Sequence, residues 1–233
     1  MGDSPFGRLW NAIKPPPSVD DPNAPRKGLN RTQKRLIWAT LGVVALAVAG
    51  WQIYAYIASA QQRAQKMFEQ GMAKMTPGHY REAIDIFSKA VDIYPQLGAA
   101  YLERGNAENI AGEKEAAFAD FEKAIEVSNL APAFTARGLV YLGKGDLKHA
   151  EQDFTSSIGV EPNSDAYYQL GQILDNRGEH AKAVEFYDQA IHIQPEAPYI
   201  YRARSQAKRA MGDEQGAIED RNEGNSLEHR IRR

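Results

Sequence analysis

The distribution of apolar and polar residues divides the chain into two parts. Leu36 to Ala60 is a run of 25 residues without a charged side chain, whereas small and aromatic residues return at regular intervals after residue 63. A helix of that length, at about 1.5 Å per residue, can cross a hydrocarbon core of roughly 30 Å. The pattern therefore predicts one transmembrane helix over residues 36–60 and a repetitive helical domain over residues 61–233.

The residues that flank the apolar run predict its orientation. Trp38 lies near one end and Trp51, Tyr54 and Tyr56 lie near the other, as in the aromatic belts of membrane interfaces. The N-terminal flank is basic and contains Arg26, Lys27, Arg31, Lys34 and Arg35. The positive-inside rule then predicts a cytoplasmic N-terminus and an extracytoplasmic repeat domain, with the bacterial inner membrane and periplasm as the favoured location. In a eukaryote the same rule would place the domain in an organelle lumen or the intermembrane space.

Two other arrangements of the same segment stay open. Ala58-Ser59-Ala60 resembles a signal-peptidase site, so that cleavage after Ala60 would release a soluble secreted module. Against cleavage, the apolar run is longer than a usual signal-peptide core and follows a leader of 35 residues. The second arrangement is the reverse topology, in which the repeat domain is a cytoplasmic adaptor.

Residues 1–35 are interpreted as a disordered cytoplasmic leader. Phe6, Leu9, Trp10 and Ile13 have the spacing of one apolar helix face, which predicts a short amphipathic helix over residues 4–14. Residues 15–35 are rich in proline, which predicts an extended linker.

Four kinds of position repeat every 33 or 34 residues in the second part. The small residues are Gly71, Gly105, Gly138, Gly171 and Ser205, and the alanines are Ala83, Ala117, Ala150, Ala183 and Ala217. The third series is Phe87, Phe121, Phe154, Tyr187 and Arg221, and the fourth is Gly78, Gly112, Gly145, Gly178 and Gly212. This periodicity predicts five copies of one supersecondary unit.

Each unit has room for two helices of about 12 to 14 residues, which is an ordinary helix length. The glycines of the fourth series fall between the two helices, where a positive φ ends a helix at low energetic cost. Pro95, Pro162 and Pro195 end the second helix, and Asn129 stands at the same place in one unit. Small residues of the first two series allow the two helices to pack closely, and the aromatic residues are expected to fill the space between neighbouring units.

The pattern resembles the tetratricopeptide repeat, in which a glycine, an alanine, an aromatic residue and a proline recur in each unit of about 34 residues. On this register the repeats are 64–97, 98–130, 131–163, 164–197 and 198–231. The resemblance implies an all-α solenoid of about five helical hairpins, here preceded by one N-terminal transmembrane helix. Met67 and Lys74 in the first repeat, and Arg221 and Gly224 in the fifth, depart from the usual residues. The polar C-terminal tail is typical of a terminal cap.

The resemblance also implies a function. Members of this family are protein–protein interaction scaffolds, not catalysts, and bind a peptide or a partner helix in a concave groove lined by the first helix of each unit. The corresponding residues here are Phe68, Met72, Leu102, Asn106, Asn109, Thr135, Leu139, Leu142, Tyr168, Gln172, Asp175, Arg202, Gln206 and Arg209. The first half of this set is more apolar and the last part is basic, which favours a hydrophobic partner segment that runs toward an acidic end.

One subtype of the family binds the C-terminal carboxylates of a chaperone through lysines and asparagines. At the corresponding places this chain has Phe68, Met72, Glu103, Pro132 and Ala136. The clamp is therefore missing, and a chaperone tail is not the expected partner.

Charge and chemistry narrow the function further. The net charge is −2, made up of +5 in residues 1–63 and −7 in the remainder, which does not indicate a nucleic-acid-binding protein. There is no cysteine, so disulfides, thiolate nucleophiles and cysteine-ligated zinc are excluded. The five histidines, His79, His149, His180, His192 and His229, are spread over different units. Because packed helices lie roughly 10 Å apart, their rings are not expected to share one metal ion. No cofactor, metal or catalytic site is predicted.

Overall fold

The computed structural model describes residues 29–232, which contain ten α-helices and no β-strand. The predicted helix over residues 4–14 lies outside the described residues. The helices are α1 Arg31–Ala73, α2 Tyr80–Ile93, α3 Gly98–Ala111, α4 Lys114–Ser128, α5 Ala131–Gly143, α6 Leu147–Val160, α7 Ser164–Asn176, α8 His180–Ile193, α9 Pro198–Ala210 and α10 Glu214–Ile231. The chain divides into two compact units between Ile53 and Tyr54, within α1.

Helix α1 begins earlier than the sequence predicts. Residues 31–35 belong to the helix and not to an extended linker, because Asn30 and Gln33 form a reciprocal cap. The Gln33 backbone N–H donates to Asn30 Oδ1 at 2.8 Å, and the Asn30 N–H donates to Gln33 Oε1 at 3.0 Å. Two otherwise unpaired backbone donors are thereby satisfied, which fixes the start of the helix.

The apolar run lies within α1, which continues without interruption to Ala73. Among the described residues it is the one helix long and apolar enough to cross a membrane, and none of its most apolar 18-residue window is buried. A signal sequence near the N-terminus can also meet these criteria of length and apolar composition, so this observation alone identifies a candidate span.

From Tyr54 onward the chain packs as consecutive helical hairpins. Helices α3, α5, α7 and α9 begin at Gly98, Ala131, Ser164 and Pro198, the residues at which the repeat register starts its second to fifth units. Each of these helices packs against the next helix along the chain, and each hairpin packs against its neighbour. We call the first helix of each hairpin helix A and the second helix B.

The turns within the hairpins confirm the predicted role of the glycine series. All five of these glycines have φ between 77° and 89°. At Gly112 the N–H donates to the carbonyl of Asn109 and closes α3, and a side chain at this φ would be strained. Asn129 is the one other described residue with positive φ, 46°, and asparagine tolerates that conformation better than most residues.

The small residues of helix A and the aromatic residues of helix B form one steric unit. A Cβ atom at Gly71, Gly105, Gly138 or Gly171 would lie 2.5–2.8 Å from the ring of Phe87, Phe121, Phe154 or Tyr187 of the same hairpin. All four rings are at most 1% exposed. The expectation that these rings fill only the space between units is therefore incomplete, because each ring first covers the glycine of its own hairpin. The core around it then extends into the next hairpin, as from Phe121 to Ala133 and Val140.

A recurring ion pair joins the two helices of three hairpins. Arg104–Asp120, Arg137–Asp153 and Arg204–Asp220 each form two hydrogen bonds of 2.5–2.8 Å, and the three aspartates are 5–6% exposed. In each hairpin the arginine also lies over an aromatic ring three residues earlier, at 5.5–5.9 Å from the centroid. The fourth hairpin has Leu170 and Phe186 at these two places, so that an apolar pair replaces the ions.

Candidate partner-binding groove

The predicted groove residues lie on the A helices, but the structure does not leave all of them accessible. Leu102 is 7% exposed and Thr135 is 8% exposed. Leu102 belongs to the core around Phe121, and the Thr135 hydroxyl is 2.8 Å from that of Ser157 on helix α6. The prediction that Leu102 and Thr135 line the groove is therefore wrong. Both side chains face a neighbouring helix and contribute to packing, so a partner cannot reach them.

The apolar part of the groove retains four side chains from the prediction. Met72 is 42% exposed and Leu139 is 44% exposed, whereas Phe68 and Leu142 are half-buried. The Phe68 ring is 5.8 Å from that of Phe87, so that only part of it faces outward. Exposed apolar side chains on successive A helices are the kind of surface on which an apolar partner segment can be buried.

The three predicted groove residues of the fourth repeat are Tyr168, Gln172 and Asp175. Tyr168 and Gln172 contact each other, and Asp175 contacts a neighbouring histidine. The Gln172 side chain donates to the Tyr168 hydroxyl at 2.8 Å, and the Tyr168 ring meets the Tyr199 ring edge-on at 4.9 Å. Burial raises the pKa of Tyr168, so its hydroxyl stays protonated and can donate to a partner. Asp175 Oδ1 is 2.5 Å from His180 Nδ1. This part of the groove is a fixed polar surface.

The last part of the groove is less basic than its sequence indicates. Arg202 pairs with Glu228 at 2.6 Å, and Arg209 approaches Glu214 to 3.6 Å. Both carboxylates come from α10, which a pattern based on helix A alone does not include. The two arginine charges are therefore balanced within the chain, and the expectation of an acidic partner end at this place is not supported. Gln206 is exposed between them. Asn109 is also exposed, while Asn106 donates to Glu103 at 3.2 Å on its own helix.

A small cavity opens where the second and third hairpins meet. It has a volume of about 120 Å³ and brings together two predicted groove residues, Asn109 and Leu139. The remaining lining residues are Lys114, Val140, Gly143 and Lys144. Sequence reasoning missed these four because they lie outside the positions that the family pattern assigns to the groove, and no local motif marks them.

Three of the five histidines, His79, His149 and His180, pair with a carboxylate of their own hairpin. His79 is 2.9 Å from Glu82, and His149 is 2.6 Å from Asp146. Within residues 29–232 no group of three or more possible metal ligands is brought together. These histidines act locally at the start of B helices, where the carboxylate of Asp146 also accepts the N–H of His149.

Glu108 is a buried carboxyl group on helix A of the second hairpin. It is 7% exposed, its Oε1 lies 4.0 Å from Arg104 Nε, and its Oε2 has no hydrogen-bond partner within the described part of the chain. Burial raises the pKa of Glu108 to about 7, and the nearby Asp120 carboxylate acts in the same direction against the attraction of Arg104. Glu108 therefore keeps its proton to a higher pH than an exposed glutamate does.

The free energy of unfolding is expected to fall as pH rises from about 4.5 to about 7 because of Glu108. Its folded pKa of about 7 lies above the ordinary 4.5, so the folded chain binds more protons than the unfolded chain in this window. The full difference is at most about 3 kcal/mol, since one pKa unit is about 1.4 kcal/mol. Urea unfolding at several pH values should show a weaker decrease in Glu108→Gln than in the wild type. The exposed Glu185→Gln variant is the control, and parallel curves for wild type and Glu108→Gln would contradict the assignment.

Helical hairpins stacked along the chain, with exposed groove side chains on α1, α3, α5 and α9, define an α-solenoid of the interaction-scaffold class. Three family models described as tetratricopeptide repeat match residues 68–132, 131–164 and 164–196. The chain therefore belongs to the tetratricopeptide repeat family, as the repeat pattern predicts.

Similar proteins share the repeats at low overall identity. A tetratricopeptide repeat protein 36 homolog of Nematostella vectensis is 34% identical over 68 residues, which are 29% of this chain and 38% of that protein. A crystal structure of MamA has a TM-score of 0.58 and 24% identity, with 69% of this chain and 95% of that chain covered. PilF of Pseudomonas aeruginosa has a TM-score of 0.67 and 14% identity, with coverages of 72% and 78%. The chain spans well under half of the curated relative, and the two structures show the fold alone.

Proposed function

We propose that this protein is a membrane-anchored scaffold that binds a segment of a partner protein in the groove formed by its A helices. The observation that carries the proposal is the row of accessible side chains on successive A helices, from Met72 through Asn109 and Leu139 to Gln206. These side chains lie on a framework of hairpins that needs no partner to fill its core, so the row is available for recognition. The role is that of an accessory subunit or assembly factor of an envelope complex, and it is not catalytic.

The anchor in this proposal is the apolar run within α1. Its large side chains, including Leu46 at 75% exposed and Trp38 at 73%, are not covered by any of the described residues. In water such a surface would be costly, since each buried apolar Å² is worth about 25 cal/mol. A lipid bilayer supplies that burial, and the basic N-terminal flank supports an extracytoplasmic repeat domain.

Truncating one accessible groove residue is expected to lower partner recovery several-fold. Leu139→Ala removes an apolar side chain that is 44% exposed on helix A, so little folding free energy is lost while contact with a partner is reduced. Chemical crosslinking in native membranes, followed by affinity purification and quantitative mass spectrometry, would measure the recovery. Tyr168→Ala tests the polar part of the groove in the same way.

The matched control is Ile193→Ala, because Ile193 is 42% exposed and lies at the end of helix B α8. Its recovery of partners should equal that of the wild type. If neither Leu139→Ala nor Tyr168→Ala changes recovery relative to this control, the groove is not the binding surface.

The same membranes distinguish the two alternative arrangements. A mature chain that begins at Gln61 would show that the segment is a cleaved signal and that the protein is a soluble secreted module. Protease digestion of the repeat domain from the cytoplasmic side only would show the reverse topology of a cytoplasmic adaptor. The proposal expects an uncleaved chain in the membrane fraction after alkaline washing, with the repeat domain protected from cytoplasmic protease.

A further inference from the structure

The cavity between the second and third hairpins has a floor that leaves room for one side chain. Gly143, the last residue of α5, lines it, and a Cβ atom built on Gly143 would meet no atom within 4 Å. Leu139 and Val140 provide the apolar wall and Asn109 provides an amide. Sites for whole small molecules usually have volumes of about 300–1,000 Å³. A cavity of about 120 Å³ instead fits one side chain of a longer segment that lies along the groove.

The rim of this cavity carries two positive charges that the protein does not neutralise. Lys114 on α4 and Lys144 after α5 have no carboxylate within 4.0 Å in residues 29–232, and the same holds for Lys66, Lys89 and Lys148, whereas Lys74, Lys123, Lys182 and Lys208 are ion-paired. Lys114 and Lys144 differ from the other unpaired lysines because both line this one cavity. The Lys144 ammonium lies 4.9 Å from the centre of the Phe118 ring, one helical turn after Lys114. Cation–π contact holds Lys144 at the rim. Residues 64–233 carry a net charge of −7. The two lysines at the rim of the cavity therefore form a small positive area on a domain that is negative as a whole.

We propose that this cavity is the specificity-determining subsite of the groove and binds a carboxylate next to an aliphatic side chain in a partner peptide. The aliphatic side chain enters the space over Gly143 against Leu139 and Val140, and the carboxylate is held by Lys114 and Lys144. The Asn109 amide donates to the peptide backbone beside them. The positive charges at the rim select a carboxylate, and the apolar lining selects an aliphatic side chain. Together they distinguish a peptide with both groups side by side from a peptide with only one of them. This inference rests on the proposed scaffold function and assigns its ligand chemistry.

The test uses the full-length chain in lipid nanodiscs and a phage-displayed library of random dodecapeptides. The recovered peptides are expected to share an Asp or Glu beside Leu, Ile or Met. For a synthetic copy of a recovered peptide, Gly143→Leu should weaken binding by at least about tenfold. A Cβ atom on Gly143 meets no atom within 4 Å, and the rest of the added side chain would compete with the partner's side chain for the cavity. Gly159→Leu is the matched control, since Gly159 also meets no atom within 4 Å and is close to the end of α6. It should change the affinity by less than about twofold.

Charge variants and modified peptides locate the carboxylate. Lys114→Glu combined with Lys144→Glu should abolish binding, whereas Lys144→Arg should retain it and preserve its salt dependence. Peptides with Glu→Gln test a side-chain carboxylate, and peptides with an amidated C-terminus test a terminal one; loss in either arm supports the subsite.

Three results overturn it. If the wild type and Gly143→Leu bind the peptide with equal affinity while Tyr168→Ala loses affinity, the groove still binds peptides but the proposed subsite is wrong. If the Lys114→Glu and Lys144→Glu substitutions leave the affinity for the peptide unchanged, the two lysines do not bind a carboxylate of the peptide. Recovery of no peptide above empty nanodiscs would contradict the scaffold function itself, and the subsite with it.

Discussion

Gly138→Val is expected to destabilise the repeat domain by about 3 kcal/mol or more. The Cβ atom would lie 2.8 Å from Phe154 Cε1, and the three nearest atoms all belong to that ring. The ring cannot move aside, because Phe154 is fully buried in the core shared with Ala166 and Leu170. Urea unfolding of the full chain in detergent, followed by circular dichroism, would measure the change.

Gly143→Val on the same helix separates the clash from helix propensity. Glycine and valine differ by only a few tenths of a kcal/mol in a helix, and space around Gly143 is open, so this variant should stay within about 0.5 kcal/mol of the wild type. Adding Phe154→Leu to Gly138→Val should restore at least about 1 kcal/mol relative to the sum of the single changes. Strict additivity, or a mild effect of Gly138→Val, would show that the ring and the glycine are not one steric unit.

The framework of the fold could be predicted because its requirements are local and repeated. A glycine is needed wherever φ is positive, as at Gly112, and wherever an aromatic ring covers the helix, as at Gly138 under Phe154. Each requirement recurs in four or five hairpins at one spacing, so periodicity reveals it without coordinates. Tetratricopeptide membership follows from the same residues.

The binding surface could be predicted only in part, because exposure depends on neighbouring helices. Leu102 and Leu139 are both leucines on A helices, yet one is 7% exposed and the other 44%. Arg202 and Arg209 look free along α9, but their partners are supplied by α10. Lys114 and Lys144 meet at one cavity although they belong to different hairpins. The burial of Leu102, the ion pairs of the two arginines and the meeting of the two lysines do not recur at a fixed spacing along the chain. A repeat pattern therefore does not reveal them.

The recurring ion pairs could have been predicted from the sequence, because their arginines and aspartates stand at fixed places in the repeat. Arg104, Arg137 and Arg204 directly precede small residues of the first series, and their aspartates directly precede positions of the aromatic series. The separation within each pair is 16 residues. A search for repeated small and apolar residues alone does not include charged ones, although a charge conserved in register inside a chain indicates an internal partner.

The ion pair of the third hairpin, Arg137–Asp153, gives the second large prediction. Arg137→Leu is expected to cost roughly 3–5 kcal/mol, because it leaves a buried carboxylate without its partner. Asp153 is 5% exposed, and both of its hydrogen bonds, each 2.8 Å long, come from Arg137. Asp153→Ala should be similarly harmful, since the Arg137 guanidinium would then retain only Glu122 at 3.8 Å.

The fourth hairpin supplies the matched rescue. Leu170 and Phe186 occupy the same two places there, with Tyr167 where the third hairpin has Phe134, and the rings of Tyr167 and Phe186 are 6.1 Å apart. The double variant Arg137→Leu/Asp153→Phe therefore transplants a pair that this fold already packs, and should lie within about 1–2 kcal/mol of the wild type. The exposed pair Glu179–Lys182 is the control, since water screens this pair and Lys182→Met should leave the urea midpoint unchanged. A double variant as unstable as Arg137→Leu would show that the ions are required for more than mutual neutralisation, and that the hairpins are not interchangeable at this position.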